Sequence, residues 1–226
     1  GLASPEGSGH PDDEWGWAVS AGLRLNAPMI GQGDYFQTQV NYTQGALKYI
    51  FQNPNGNPYI QDNQSGLAMG IISDGVYGGN LLDGNATNIE LTTAWNVNAS
   101  FEHFWNPRWR TSIHGGYAQV SYNDRANNIL CVLQGDGNAL GGSLAVANPG
   151  CDNDWNWWWI GSRTQWNVTK EFYMGLDVAY TRISGLSTSD GLFGGPLPGN
   201  TNISVRPVDD QDNWQVRFRV HRDFYP

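Results

Sequence analysis

Charge is scarce in this sequence. Only 15% of its 226 residues are Asp, Glu, Lys or Arg, and no basic run occurs. Contact with a phosphate backbone needs clustered Lys and Arg, so nucleic acid is excluded as a partner. Long apolar runs are missing too: nothing approaches the ~18 residues that a membrane-spanning helix requires. The opening GLASPEGSGHPDDEWGW has neither the basic start nor the apolar core of a signal peptide. The expectation is an export signal already removed, or a chain that begins in the middle of something larger. Cysteine is limited to Cys131 and Cys151. No further Cys or His pair lies near them, which is too few ligands for a metal site.

Gly and Trp are abundant, at 29 and 11 residues. Mean hydropathy is −0.48 and the pI near 4.7, yet the polarity comes from Asn, Gln, Ser, Thr and Gly rather than from ions. That composition suits strands and turn-rich loops better than helices. Cys131 and Cys151 bracket the Gly/Asn-rich stretch CVLQGDGNALGGSLAVANPGC. As a disulfide they would stabilise by about 3 kcal/mol and point to an oxidising compartment. The other reading is two free thiols.

Alternation with a period of two recurs along the chain. In 15–25, Trp15, Trp17, Val19, Ala21, Leu23 and Leu25 oppose Ser20, Gly22 and Arg24. In 158–168, Trp158, Ile160, Thr164 and Trp166 oppose Arg163, Gln165 and Asn167. On the last stretch Trp214, Val216, Phe218 and Val220 oppose Gln215, Arg217, Arg219 and His221. Seven spans are predicted: 14–26, 35–46, 89–105, 108–123, 154–168, 172–184 and 212–225. A phase change near Gly115 and Gly116 predicts a bulge there. Residues 66–79 look strand-like but break the parity, and are read as ordered structure within a long external excursion.

Connections of two to five residues alternate with long loops at 47–66, 124–153 and 185–211. An antiparallel meander with tight turns at one end and long loops at the other explains this. Its polar face holds amides, Gly and isolated Arg instead of the Lys/Glu mixture of a solvated surface. Aromatics gather at strand ends, at Trp15/Trp17, Trp105/Trp109, Trp158 and Phe224/Tyr225, like the girdles of membrane barrels. The expected fold is all-β, an antiparallel transmembrane β-barrel in one domain over 1–226. The rival is a secreted carbohydrate-binding β-sandwich, in which the Trp cluster of DWNWWWIG (154–161) stacks on sugar rings.

The run ELTTAWNVNASFEHFWNPRWRTSIHGGYAQVSY (90–122) joins two strands through an Asn-Pro turn. WWIGSRTQWNVTKEFYMGLDVAYTRI (158–183) and the ending VRFRVHRDFYP have the same character. Together they resemble the general porins of alphaproteobacteria, of the rhizobial and Brucella type. The resemblance covers most of the chain and is strongest from about residue 90 onward. It implies a barrel of about 16 strands, a homotrimer, and passive diffusion of small hydrophilic solutes through an outer membrane. Lipid and lipopolysaccharide would be its surroundings. Seven spans are fewer than such a barrel needs and odd in number, so the chain reads as the C-terminal half of one. Porins of this kind usually end in Phe, whereas this chain ends in Tyr225-Pro226.

No catalytic constellation is visible. His10, His103, His114 and His221 are scattered, and Glu102 and His103, adjacent on a strand, face opposite ways. GDGNALGG lacks the Lys and the strand-to-helix context of a phosphate loop. An enzyme is not expected, nor any cofactor. Arg24, Arg163, Arg217 and Arg219, with Gln215 and His221, are the predicted pore-lining residues, because fixed charge at a constriction sets ion preference. The alternative is that these cations pair with acids such as Asp177. Acidic clusters at 12–14, 152–154 and 209–212 are read as solvated loop charge, with calcium binding as the other possibility.

Overall fold

The computed structural model describes residues 11–51, 57–61, 66–77, 88–133, 150–188, 192–196 and 203–224. In chain order the strands are β1 (Trp17–Asn26), β2 (Tyr35–Gln44), β3 (Tyr59–Gln61), β4 (Leu67–Met69), β5 (Gly75–Val76), β6 (Glu90–Leu91) and β7 (Thr93–Asn106). β8 (Trp109–Ser121), the helix α1 (Asp124–Leu133), β9 (Trp155–Asn167), β10 (Phe172–Ser184), β11 (Leu192–Pro196), β12 (Ile203–Pro207) and β13 (Gln211–Arg222) follow. The seven long strands form one antiparallel sheet in the order β1-β2-β7-β8-β9-β10-β13. Each pairs with its sequence neighbour among the long strands, which is the predicted meander. Trp15 precedes β1 rather than belonging to it.

The connections fall on two ends. Turns 27–34, 107–108 and 168–171 lie at one end; 45–92, 122–154 and 185–210 lie at the other. Between β7 and β8 the Asn106 side chain accepts hydrogen bonds from the Arg108 and Trp109 amides at 2.9 and 3.0 Å. This local turn explains the Asn-Pro sequence there. The predicted bulge at Gly115–Gly116 is absent: both pair continuously with β7 and β9. The register shift lies instead between Phe104 and Asn106, beside the turn. Gly116 has a different reason, since a Cβ there would come within 2.5 Å of the Trp159 ring.

The turn at 27–34 is held from within. The buried Asp34 carboxylate meets His103 Nδ1 at 2.5 Å and accepts the Phe104 amide at 2.8 Å. Burial opposes its charge, but hydrogen bonds from His103 and Phe104 outweigh that and hold the carboxyl below its ordinary 3.8. The stability it contributes is therefore complete above 3.8 and lost as pH falls through the lowered folded value. Amide exchange at Phe104 that accelerates only in that acid window is the expected result.

Residues 66–77 do not span the sheet; they carry β4 and β5. They form a band along the long-loop rim. At one end the Leu186 and Asp209 amides donate to Met69 and Leu67 carbonyls, at 2.8 and 3.1 Å. In the middle the Ile71 carbonyl accepts from Tyr122 Oη at 2.8 Å and Trp155 Nε1 at 2.9 Å. At the far end Asp74 accepts the Leu47 amide at 2.6 Å and its carbonyl accepts that of Thr92 at 3.1 Å. Leu47, Phe51, Val76, Tyr122, Ala126 and Ile129 pack here against the wall residues Ala94, Ala118, Val120 and Trp155. The excursion thus folds back onto the polar-face side of the wall. Small wall residues at 94 and 118 leave it room. Cys131 and Cys151 are joined as a disulfide, which ties the last turn of α1 to the segment entering β9.

Candidate channel wall

The two faces of the sheet differ in kind. One presents Val19, Leu23, Leu25, Val40, Ile113, Ile160, Leu176, Val216 and Phe218, all exposed. Among the described residues no second sheet covers them, so the sandwich reading fails. A ring from each long strand runs across this face near the long-loop end: Trp17, Tyr42, Trp95, Tyr117, Trp158, Tyr180 and Trp214. Trp17–Tyr42, Trp95–Tyr117, Trp158–Tyr180 and Tyr180–Trp214 are in ring contact at 5.1–5.5 Å. Tyr42 and Trp95 are direct register partners, as are Tyr117 and Trp158.

Near the short-turn end Trp109 stacks on Trp166 at 5.4 Å, and Trp105 is exposed beside them. From 158 to 166 is about 27 Å along a strand at ~3.4 Å per residue. A ~40° tilt reduces that to about 20 Å, the scale of the ~25 Å lipid-facing band of such barrels. Trp17, Trp158, Trp105 and Trp109 of the predicted girdle fall in these two belts. Trp15 and Phe224 lie just beyond strand ends and are exposed, while Tyr225 lies outside the described residues. The sequence pattern missed Tyr42, Trp95, Tyr117, Tyr180 and Trp214 as one belt, because only strand register aligns them.

The opposite face is polar, and register arranges it in rows. One row reads Arg24, Gln37, Ser100, His114, Gly161, Ala179, Gln215 from β1 to β13. The next reads Asn26, Tyr35, Glu102, Ser112, Arg163, Asp177, Arg217. Then come Arg110, Gln165, Gly175 and Arg219, followed by Asn167, Tyr173 and His221. All six predicted pore-lining residues are on this face.

A network fixes part of it. Tyr35 Oη donates to Glu102 at 2.8 Å, and Arg110 pairs with the same carboxylate at 3.0 Å. Arg110 also donates to Gln165 Oε1 at 3.0 Å, and Gln165 to Asn167 at 2.8 Å. The Arg24 guanidinium lies 3.9 Å from the Tyr35 ring centroid. Arg110 escaped the sequence reading, although its alternation with Trp109 and Thr111 marks the polar face. Arg163 and Arg217 flank Asp177 in register, yet no ion pair within 4 Å forms among them or with Arg219. His221 is held by Asp223 at 2.8 Å and stacks on Tyr173.

Five arginines (24, 110, 163, 217 and 219) thus face two carboxylates, Glu102 and Asp177, on a wall whose chain carries a net charge of −9. The acidity lies elsewhere. Asp152 and Asp154 accept hydrogen bonds from Asn127 and from the Asp154 and Tyr122 amides, and Asp210 pairs with Arg182 at 3.0 Å. Burial pushes the Asp154 carboxyl up. Among the described residues no group of three His, Cys, Asp or Glu comes together to hold a metal ion.

No curated protein and no solved structure matches the chain. A family model does: that of the porin subfamily, over residues 3–216. A meander with an exposed apolar face, two aromatic belts and a polar, arginine-bearing wall is the sheet such a family requires. The chain belongs to the porin subfamily.

Proposed function

We propose that the chain forms part of an outer-membrane porin, a water-filled channel for passive diffusion of small hydrophilic solutes and ions. The carrying observation is the two-faced sheet: exposed aliphatics between aromatic belts on one side, amides and arginines on the other. Lipid is the solvent that stabilises the first, and water in a lumen the second. In this reading β1 and β13 run the same way along the sheet. Antiparallel closure of the barrel then takes an odd number of further strands. The outer belts face lipid and lipopolysaccharide, and assembly as a trimer follows the resemblance to general porins.

The wall's charge predicts anion preference. Arg217 and Arg219 stand two apart on β13, unpaired with any acid within 4 Å among the described residues. Their fixed charge therefore acts on the lumen rather than being neutralised locally. Arg217→Ala/Arg219→Ala is expected to shift the reversal potential of single channels toward cations under a salt gradient in planar bilayers. An unchanged potential rejects a pore role for these two, and the absence of conductance steps rejects the channel.

A further inference from the structure

Three tryptophans of β9 stand on the polar face, and one of them is unlike the others. Trp155 Nε1 donates to the Ile71 carbonyl, and Trp157 Nε1 to Thr181 Oγ1. Both indoles are also packed against Phe51. Trp159 Nε1 donates to no protein acceptor among the described residues, and the one aromatic ring it meets among them is Trp157, at 5.4 Å. A half-buried indole normally finds a partner for its N–H.

The wall is shaped around this ring. Trp159 lies over Gly116, where a Cβ would fall 2.5 Å from the indole and 2.6 Å from Asn98 Oδ1. Gly161 does the same for His114, whose Nε2 would be 2.7 Å from a Cβ at 161. Two flat rings laid on glycines border a concavity of about 520 Å³. Arg24, Gln37, Gln39 and Asn98 complete it. The side chains of Gln37, Asn98 and His114 make no hydrogen bond to protein among the described residues, so donors and acceptors are both available.

We propose that this concavity is a saccharide-binding subsite of the channel wall, with Trp159 as the stacking platform. The inference rests on the channel reading for its place in a lumen. A pyranose has an apolar face of C–H groups and a rim of hydroxyls that each donate and accept. The indole takes the face, and the amides of Gln37 and Asn98 take the rim. A simple anion would use Arg24 and leave the indole idle. An aromatic solute would stack but leave the amides unmatched. The volume is within the range of small-molecule sites.

Maltotriose, with sorbitol as an open-chain polyol control, is the probe. Added to single channels of the purified protein, maltotriose is expected to interrupt the current in a saturable way, and sorbitol is not. Trp159→Ala weakens the half-blocking concentration by about tenfold, and Trp159→Phe by only two- to threefold, because a smaller ring still stacks. Equal behaviour of the two solutes, or a Trp159→Ala response like the parent's, overturns the subsite while leaving the channel intact. Calorimetric titration of maltotriose into the detergent-solubilised protein reads the same site without conduction. If no channel conducts, heat of binding that Trp159→Ala weakens by about tenfold upholds the saccharide site, and no heat, or heat unchanged by the substitution, overturns it.

Discussion

Ile113→Arg is expected to destabilise the protein refolded in phospholipid vesicles by about 2–4 kcal/mol, the cost of a cation near the middle of a barrel's lipid face. Ile113 lies on β8 midway between Trp109 of one belt and Tyr117 of the other, and is 56% exposed. It stands four positions from either ring along the strand. The new guanidinium then lies beyond easy reach of the headgroups. The same substitution on a water-exposed surface stays within about ±0.5 kcal/mol. Denaturant titration in vesicles therefore discriminates between the two solvents for this face. A shift no larger than the surface value rules lipid out.

Trp155→Ala is expected to remove about 3–5 kcal/mol from the packing of the rim band. Its ring is 2% exposed, stacks on Phe51 at 5.2 Å, and lies so close to Gly70 that no Cβ fits there. Its Nε1–H donates to the Ile71 carbonyl at 2.9 Å, so truncation also removes one of that carbonyl's two donors, leaving Tyr122 Oη. The sheet registers do not depend on this contact, and the loss is local. Amide exchange should rise across 66–77 while β7–β8 and β9–β10 pairing stays protected. Uniform loss of protection would mean that the band and the sheet unfold as one unit.

The seven spans were readable because each alternates locally, and each long strand then pairs with its sequence neighbour. Their bounds differ from expectation by only a few residues, mostly at the long-loop ends, where β1 starts at Trp17 and β7 at Thr93. What escaped the sequence depends on contacts between distant segments. That 66–77 is ordered was expected, but its partners were not: Leu186, Asp209, Tyr122 and Trp155 are what meet it. WNWWWI hid its own logic: in a run of adjacent tryptophans every parity looks apolar, so Trp157 and Trp159 were not separated from Trp158. Arg110 was obscured by the expected bulge at the glycines, which in fact make room for Trp159 and neighbouring wall groups. The polar row on β13 was legible from its alternation alone, but the lack of acidic partners for Arg217 and Arg219 was not.

The belt of seven rings also has a geometric consequence. Passing from β1 to β13, its members are direct register partners at every second interface and two residues displaced at the rest, always toward the short-turn end. For these rings to lie level at one membrane surface, the strands must lean by an average of one residue per interface. Equal shear and strand number produce an inclination of about 36° in a closed barrel. The aromatic positions along the chain therefore encode how steeply the strands cross the bilayer.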